Sequence, residues 1–421
     1  MREYYRRVAD GILAFKLSCC GAVNVKGPKW CGKSTTAAQV ARSASYLQDR
    51  ATSAQEVALA KNAPDIFLEG EAPKLIDEWQ VAPFIWDQVR FEVDRRGEKG
   101  QFILTGSATP PDDDESEREH SGVGRIAPMV MRPMTLWESR DGGGGVSLRA
   151  LFEGEEPRAR SPLSLRDYAY LTCRGGWPGA LGLDGEQALE QAFIYYDGLV
   201  EDDLGRVLKN ARNPERVRRL MRSLARAVST ETSLEKIRRD IIANDNESTA
   251  TETIASYINA LERLYVVENL KAWSPNLRSK TAMRTSDTRH FVDPSIATAA
   301  LGLGPGDLIA DLRTFGLLFE SLCIRDLRVY ADALKGEVRH YRDASGLEAD
   351  AVIHLRGGKW AAVEVKLGSD EAIDEGARHL IALRERVDSR PPEFLMVCTS
   401  TGAAYRRDDG VMVVPLGCLE P

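Results

Sequence analysis

Hydrophobic and polar residues follow three successive patterns along the chain, which predict three structural regions. Up to about residue 140, short apolar runs of strand length alternate with segments whose apolar residues recur at helical spacing. Such alternation is typical of an α/β fold with a parallel sheet. The predicted elements are strands at residues 22–25, 74–76 and 101–104 and helices at residues 34–47 and 84–95.

The second region, residues 165–273, has a helical pattern throughout. Its last helical segment places Ile254, Tyr257 and Ile258 on one apolar stripe. Three short helices followed by an extended stretch at residues 265–270 resemble a winged helix-turn-helix. The predicted helices cover residues 188–207, 214–228, 233–242 and 249–264.

The third region, residues 315–419, alternates strands and helices again and predicts a further α/β unit. Between the first two regions, the glycines at 142–145 and the polar stretch at 153–162 lack apolar periodicity. They predict a flexible connection that lets the neighbouring domains reorient. The predicted division is a first domain at residues 1–140, a linker at 141–164, a helical region at 165–275 and a carboxy-terminal domain at 276–421.

Composition and charge narrow the class of protein. A chain of 421 residues with 43% hydrophobic residues is sufficient for about two to three globular domains. The net charge of −7 argues against a globally basic nucleic-acid binder and leaves that role to local basic patches. The apolar runs are far shorter than the roughly 20 residues that cross a bilayer, so we expect a soluble, cytoplasmic protein without a membrane partner.

A phosphate-binding motif lies between the first predicted strand and the first predicted helix. Residues 27–34 satisfy the pattern G-x-x-x-x-G-K-[ST]. The glycines let backbone N–H groups wrap phosphates, and the helix begins with its positive dipole end against them. In this motif Lys33 reaches the β- and γ-phosphates and Ser34 ligates magnesium, so ATP and Mg²⁺ are the expected cofactors. The residues expected to contact the nucleotide are Gly27, Pro28, Lys29, Trp30, Cys31, Gly32, Lys33, Ser34 and Thr35.

A phosphate loop of this kind works together with acidic residues at the end of a neighbouring strand. Here an apolar strand ends in two carboxylates, Asp77 and Glu78. Asp77 is predicted to hold magnesium together with Ser34. Glu78 is predicted to orient or deprotonate the attacking water. The alternative for this dipeptide is an ordinary acidic pair on the surface.

Two further features are open to more than one interpretation. Thr105 and Ser107 end another buried strand, where they either sense the γ-phosphate or form a helix cap or turn. Arg125 follows the flexible pair Gly122 and Gly124. It is either an arginine finger, acting in cis or from a neighbouring subunit, or an ordinary surface arginine.

Taken together, these motifs resemble a family of uncharacterised bacterial and archaeal ATP-binding proteins, in which an AAA-type P-loop domain precedes a carboxy-terminal domain of unknown function, number 4143. The resemblance implies an α/β P-loop NTPase sheet, then a helical winged-helix-like region, then a restriction-endonuclease-like α/β domain. The segments that carry it are residues 27–36, 75–80, 102–108, 124–125, 174–178, 272–275, 290–294 and 364–366.

The carboxy-terminal region arranges Glu320, Asp350, Glu364 and Lys366 in a way similar to the PD-(D/E)xK nuclease signature. A three-residue hairpin loop with Gly358 in the left-handed region pairs Asp350 with Glu364 and places the apolar residues on the opposite face. A two-residue turn would instead pair Asp350 with Val365 and place the two acids on opposite faces of the hairpin. In the first register Asp350 and Glu364 are predicted to hold magnesium, and Glu320 to join them from a preceding helix. Lys366 is predicted either to position the water or to stabilise the charged transition state. The alternative is a nuclease-like fold without cleavage.

The helices of the second region carry many arginines with few acids between them. Arginines in such numbers are suited to contact with nucleic-acid phosphates. A solvated helix face, or a surface that contacts the first domain, is equally compatible with the pattern. The arginines are Arg212, Arg216, Arg218, Arg219, Arg222, Arg226, Arg238 and Arg239.

These observations predict an ATP-binding protein that hydrolyses ATP slowly with Mg²⁺ and acts as a nucleotide-controlled switch, with DNA as a candidate partner. One alternative is an ATP-loaded scaffold that recruits DNA or protein without hydrolysis. Another is an ATP-regulated nuclease. Self-association and a protein partner stay open.

Overall fold

The structure is a computed structural model, in which the chain forms two compact units. One unit comprises Met1–Pro133 with Arg263–Tyr265, and the other comprises Met134–Glu262 with Val266–Pro421. No helix in the described part of the chain is long and apolar enough to cross a membrane. The structure describes residues 3–108, 120–207, 214–242, 251–275, 286–387 and 390–421.

A parallel sheet forms the centre of the first unit, as the alternation of strands and helices predicted. Its strands are β1 (Ala22–Lys26), β2 (Ser43–Tyr46), β3 (Lys74–Asp77), β4 (Phe102–Gly106) and β5 (Ile126–Val130). Within the described residues the strand order is β2-β3-β4-β1-β5, and every pair is parallel. Because β4 separates β1 from β3, the end of β4 lies between the two segments that carry the phosphate-loop motif and the acidic pair.

Helices cover both faces of this sheet. They are α1 (Val8–Cys19), α2 (Lys33–Ala38), α3 (Ser53–Asn62), α4 (Pro64–Leu68) and α5 (Ile85–Arg96), and a short 3-10 helix covers Trp79–Val81. One apolar cluster joins Val23 of β1 to Leu13 of α1. The other joins Ile76 of β3 to Val89 of α5. Successive strand residues point to opposite faces, so burying both faces requires the nearly continuous apolar runs found in these strands.

The predicted helix at residues 34–47 is wrong in its second half. α2 ends at Ala38, and β2 pairs in parallel with β3 from Ser43 to Tyr46. Only Ser45 of β2 is buried, and the strand consists of small and polar residues with one tyrosine. Such an edge strand has no apolar alternation of its own, so pairing with its neighbour defines it.

The first part of the second unit is largely helical, as predicted. The helices of the unit are α6 (Leu148–Phe152), α7 (Leu165–Arg174), α8 (Gly185–Gly198), α9 (Leu204–Val207), α10 (Pro214–Arg226), α11 (Leu234–Ile242), α12 (Thr251–Arg263), α13 (Pro294–Leu301), α14 (Pro305–Ala310), α15 (Leu312–Ala333) and α16 (Asp370–Arg386). After α12, isolated antiparallel bridges join Val267 to Phe291 and Leu270 to Thr288. The winged helix-turn-helix stays a prediction. Residues 276–285, at the start of the predicted carboxy-terminal domain, lie outside the described residues.

A mixed sheet forms the other part of the second unit. The strands are β6 (Val146–Ser147), β7 (Ala159–Arg160), β8 (Gly336–Arg342), β9 (Glu348–Leu355), β10 (Trp360–Lys366), β11 (Leu395–Thr399), β12 (Ala403–Arg406), β13 (Met412–Pro415) and β14 (Leu419–Glu420). For the described residues the order is β7-β12-β13-β11-β10-β9-β8, and β14 pairs separately with β6. α16 packs on this sheet through Leu380 and Leu383, which share an apolar cluster with Val352 and Val397.

The prediction of a flexible linker at residues 141–164 is wrong. Within this stretch β6 pairs with β14 and β7 pairs with β12, so both ends are attached to the carboxy-terminal strands. Gly144 donates its N–H to the Gly417 carbonyl at 3.1 Å, and a Cβ on Gly142 would lie only 2.9 Å from the same oxygen. The glycines therefore permit close packing of two backbones rather than free motion.

The predicted boundary at residue 275 does not separate two compact units. Arg325 of α15 is buried, and its Nη1 donates to Asp293 at 2.9 Å while its Nε donates to Asp326 at 2.8 Å. Asp293 also accepts the backbone N–H of Gly176 at 2.9 Å. A buried charge needs partners of this kind, so the network ties the helical part firmly to α15.

Candidate functional site

The phosphate-loop motif forms a tight turn between β1 and α2. Gly27 has φ +157°, Gly32 has φ +100° and Trp30 has φ +64°. A Cβ on Gly27 would lie 2.0 Å from the Met131 carbonyl oxygen, so a side chain cannot be accommodated there. Cys31 is buried in the apolar cluster beneath the loop, whereas Trp30 is 52% exposed. Glycine is therefore required at Gly27 for space and at Gly32 for backbone conformation.

Lys33 and Ser34, the first residues of α2, already have partners in the structure. Lys33 is buried, and its Nζ donates to the Pro28 carbonyl at 2.8 Å, so its charge lies within the loop. Ser34 Oγ donates to Asp77 Oδ1 at 2.6 Å. This contact brings the two sequence motifs together, although they are more than 40 residues apart in the chain.

Hydroxyl groups at the end of β4 hold the acidic pair in place. Thr105 Oγ1 donates to Asp77 Oδ1 at 2.5 Å and accepts the Glu78 N–H at 3.3 Å. Ser107 Oγ donates to Glu78 Oε2 at 2.8 Å, and Gln80 Nε2 donates to the same oxygen. Thr105 and Ser107 thus lie between the phosphate loop and the carboxylates because β4 separates β1 from β3. Their predicted contact with a γ-phosphate stays a prediction.

Arg7, which the sequence analysis missed, clamps the phosphate loop. Its Nη1 donates to the Cys31 carbonyl and its Nη2 to the Arg132 carbonyl, both at 2.8 Å. Arg7 is only 6% exposed, so these charge-assisted bonds are formed out of water, where they are strong. Tyr4 adds a second tie, since its hydroxyl lies 3.0 Å from Thr36 Oγ1 on α2. No local pattern marks one arginine among the many in the chain for this role.

Arg125 does not lie near the phosphate loop of its own chain. The Arg125 carbonyl accepts the N–H of Ala22 at the first residue of β1, whereas the loop follows the last residue of β1. At about 3.3 Å per residue, these two ends of β1 are about 13 Å apart. The guanidinium instead pairs with Asp94 at 2.8 Å on an exposed surface. An arginine finger acting in cis is therefore excluded by position, and the option in trans stays a prediction.

The hairpin of β9 and β10 has the predicted register. Ala351 pairs with Val363 and Ile353 with Ala361, so continuation of the same register sets Asp350 opposite Glu364. The loop has three residues between Leu355 and Lys359, and Gly358 is left-handed at φ +86° as predicted. Gly357, at φ +96°, is left-handed as well.

The predicted carboxylates and lysine lie close together. Lys366 Nζ contacts Glu364 Oε2 at 3.0 Å, and Asp350 Oδ2 accepts the Val365 N–H at 2.7 Å. His379 of α16 lies 3.9 Å from Glu364 Oε1. We call Glu320, Asp350, Glu364 and Lys366 the carboxylate cluster.

Burial dominates the electrostatics of the carboxylate cluster. It raises the pKa of Glu364 to about 8, and the neighbouring Asp350 carboxylate adds to the shift. It also raises the pKa of Asp350, and it raises that of Glu320 well above its usual range. Burial alone would lower the pKa of Lys366, but the carboxylates of Glu364 and Asp350 outweigh it and leave the pKa raised. Bringing these acids together therefore favours their protonated forms.

Two cavities meet at Asp350 and Glu348. One, of about 210 Å³, is also lined by Glu364 and Lys366, and the other, of about 170 Å³, by Glu320. Across the described ranges no group of three or more His, Cys, Asp or Glu side chains is placed to hold a metal ion. Because internal donors already engage Asp350 and Glu364, their predicted magnesium site stays a prediction.

Family comparisons divide the chain into three matched regions. A family model described as an AAA domain matches residues 21–139, so an AAA-type P-loop domain is found where the motif predicted it. A domain of unknown function (DUF4143) matches residues 315–419, which confirms that part of the resemblance. Another domain of unknown function (DUF8612) matches residues 165–307. The nuclease-like character of the carboxy-terminal domain stays a prediction.

Two solved structures show weak overall similarity to the chain. The Walker-type ATPase PABY2304 of Pyrococcus abyssi has 16% identity and a TM-score of 0.45, over 71% of this chain and 96% of that one. A DNA replication initiation factor has 16% identity and a TM-score of 0.22, over 61% of this chain and 85% of that one. No curated protein matches the chain.

Proposed function

We propose that the protein is a slow, Mg²⁺-dependent ATPase that acts as a nucleotide-controlled switch. The observation that carries the proposal is the contact of Ser34 Oγ with Asp77 Oδ1 at 2.6 Å. It places a hydroxyl from the phosphate loop beside a carboxylate from the next motif, and hard oxygen ligands of these two kinds suit Mg²⁺. The AAA domain match over residues 21–139 supports ATP as the nucleotide.

The loop residues bind and orient the nucleotide in this proposal. The N–H groups of the loop and of the start of α2 donate to the phosphates, and Lys33 exchanges its bond to the Pro28 carbonyl for the β- and γ-phosphates. Ser34 and Asp77 would hold Mg²⁺, which supplies positive charge to the phosphate oxygens when bound. Arg7 keeps the Cys31 carbonyl turned away from the phosphates, since that oxygen accepts its Nη1.

Glu78 is the proposed general base. Its carboxylate lies at the end of β4, where Ser107 Oγ and Gln80 Nε2 donate to one oxygen and leave the other for a water molecule. It takes the proton of the attacking water, a role that contributes about 10²- to 10⁴-fold to a rate.

The test is phosphate release by the full chain with ATP and Mg²⁺. Glu78→Gln keeps the shape of the side chain and removes its basicity, so we expect ATP binding to persist while turnover falls by about 100-fold or more. Glu71→Gln, an exposed glutamate of the same unit, is the matched control and should turn over like the parent. Equal turnover of the parent and Glu78→Gln would contradict the assigned role.

A nucleotide-loaded scaffold is the alternative without chemistry. Its distinguishing result is tight ATP binding by the parent with no phosphate release, in the presence or absence of DNA. In that case ATP would act through binding alone, so Glu78→Gln and the parent should have the same ATP affinity and should both release no phosphate.

A nuclease is a second candidate because Asp350, Glu364 and Lys366 line one cavity. Metal-dependent nicking of supercoiled DNA by the full chain is the test. Asp350→Ala and Lys366→Ala should each abolish nicking, whereas Glu371→Gln, an exposed acid on α16, should not. Nicking that survives both substitutions comes from a contaminant and removes this candidate.

Action on DNA is the remaining part of the proposal. A switch requires that the partner bind one nucleotide state better than the other. We expect anisotropy of labelled DNA to report different affinities with ATP and with ADP, both of which fall with salt because arginine–phosphate contacts release counterions. Equal, negligible binding in every condition would leave an ATPase with protein partners.

A further inference from the structure

A cavity of about 530 Å³ lies among the helices of the second unit, and its lining includes no residue of the two sites described above. Phe193 and Tyr196 of α8 line it together with Ala299 and Ala300 at the end of α13. Its volume falls in the range of small-molecule sites, about 300 to 1,000 Å³. The wall that α10 contributes carries four arginines, Arg218, Arg219, Arg222 and Arg226.

The acids that also line the cavity have partners of their own. Asp197 pairs with Arg218 at 2.8 Å, and Arg218 lies 5.6 Å from the centre of the Tyr196 ring. Asp240 accepts the Ser223 hydroxyl at 3.3 Å, and Glu215 lies 4.0 Å from Arg218. Arg218 therefore balances the acids and forms part of the wall.

Arg222 and Arg226 carry the positive charges of this wall that the acids lining the cavity do not pair with. Both are exposed, and neither forms an ion pair with any residue that the structure describes. They are four residues apart on α10, which places them one turn apart on the same face with Cβ atoms about 6 Å from each other. The buried Val217, Leu220 and Leu224 fix the rotation of α10, so both guanidinium groups stay at the cavity.

We propose that this cavity binds the phosphate of a nucleotide through Arg222 and Arg226. Two guanidinium groups one turn apart offer ten N–H donors in planar forks that match phosphate oxygens. The half-buried ring of Phe193 offers a flat apolar surface for the base. The nucleotide is either free in solution or one unit of a nucleic-acid strand, since both carry the same phosphate chemistry. The site does not depend on whether the amino-terminal domain hydrolyses ATP.

The experiment uses the full chain with Lys33→Ala, so that the phosphate loop does not compete for nucleotide. The probe is a 5′-phosphorylated single-stranded oligonucleotide with a 3′ fluorophore, followed by anisotropy. The double variant Arg222→Gln/Arg226→Gln should bind it about 100-fold more weakly, at about tenfold for each charged contact. The slope of log affinity against log salt should become shallower by roughly 0.7 per lost contact.

A matched double variant controls for the loss of net charge. Arg149→Gln/Arg239→Gln removes the same two charges from exposed positions that do not line the cavity, and should bind like the parent within about twofold. Circular dichroism and thermal melting should show the same fold for both double variants, because all four side chains are exposed.

Unlabelled adenosine monophosphate distinguishes the two sources of the nucleotide. Displacement of the probe assigns the cavity to free nucleotides, and a probe that stays bound assigns it to a strand. Phe193→Ala should weaken binding by a smaller factor than the arginine pair, because it removes stacking alone. Equal affinity of the parent and Arg222→Gln/Arg226→Gln, or no binding of either the oligonucleotide or the monophosphate, would overturn the proposal.

Discussion

The nucleotide site of the first unit and the carboxylate cluster of the second hold their acids in different ways. At the nucleotide site, Asp77 ends β3 and Glu78 follows it, and both accept hydrogen bonds from hydroxyl groups on neighbouring segments. In the cluster, Asp350 and Glu364 lie on two paired strands and face each other, with Lys366 as the adjoining cation. Burial raises the pKa of both cluster acids.

This difference in how the acids are held determines what must be displaced before each site can bind a cation. At the first site, hydroxyl donors hold Asp77 and Glu78 in place, and in the proposed function Lys33 and Ser34 exchange their present partners for phosphate and Mg²⁺. Acids that are buried beside each other favour the protonated state, so a cation must displace protons and internal bonds before the cluster can bind it. The two sites therefore differ in that cation binding must displace protons from the acids of the carboxylate cluster.

The largest effect should come from breaking the clamp on the phosphate loop. Arg7→Ala removes one buried and one partly buried charge-assisted bond and leaves two carbonyls without this donor. We expect the free energy of unfolding to fall by about 3 kcal/mol or more in urea titrations, with weaker ATP binding at the same time. Arg6→Ala, the exposed neighbour, is the control. Identical denaturation curves for the two variants would contradict the clamp.

A smaller effect should follow from neutralising one acid of the nucleotide site. Asp77→Asn keeps a hydrogen-bond acceptor for Ser34 but loses the charge, so we expect the Mg²⁺ concentration for half-maximal ATP hydrolysis to rise about 10- to 100-fold. Asp65→Asn, an exposed acid at the start of α4, should leave the Mg²⁺ dependence unchanged. An unchanged Mg²⁺ titration in Asp77→Asn would remove this residue from the site.

Neutralising an acid of the carboxylate cluster should instead make the folded chain more stable. The pKa of Glu364 is about 8 in the folded chain against an ordinary value of 4.5, so between these pH values the folded state binds more protons and stability falls as pH rises. Glu364→Gln removes this cost, and we expect it to be more stable than the parent by more than about 1 kcal/mol at pH 9. At pH 4 the advantage should vanish.

Thermal melting of the two proteins across pH checks this prediction. Glu385→Gln, an exposed glutamate near the end of α16, should show no pH-dependent advantage. A Glu364→Gln variant that is less stable than the parent at pH 9 would mean that its pairing with Lys366 outweighs the burial of its charge.

The smallest effect is expected at Arg125. Its pair with Asp94 is exposed, so Arg125→Ala should leave both the free energy of unfolding and the ATP affinity nearly unchanged. An arginine finger in trans would appear as a loss of turnover that depends on protein concentration. If Arg125→Ala lowered turnover equally at all protein concentrations, Arg125 would have to act within its own chain, which contradicts its distance from the phosphate loop.

Sequence patterns predicted the parts of the fold that depend on local spacing. The glycines and lysine of the phosphate loop predicted a strand, a turn and a helix, because phosphate binding needs those residues at that spacing. The register of Asp350 against Glu364 was also predictable, since a one-residue slip would have turned the apolar residues of the hairpin to the polar face. Both are cases in which neighbours in sequence carry the information.

Features that depend on distant segments were not predictable. The pairing of β2 comes from β3, and the order of residues 141–164 comes from strands near the carboxyl terminus. Arg7 contacts carbonyls 24 and 125 residues away in the chain. In each case the determining contact is long-range, so composition and periodicity at the segment itself carry no sign of it.

ATP binding by isothermal titration calorimetry in Mg²⁺ tests the central claim most directly. We predict saturable binding to the parent and to Lys61→Ala, an exposed lysine on α3, and affinity about 100-fold weaker in Lys33→Ala, which loses its charged contact to the phosphates. Affinity in Lys33→Ala equal to that of the parent would contradict the assignment of the phosphate loop and the function built on it.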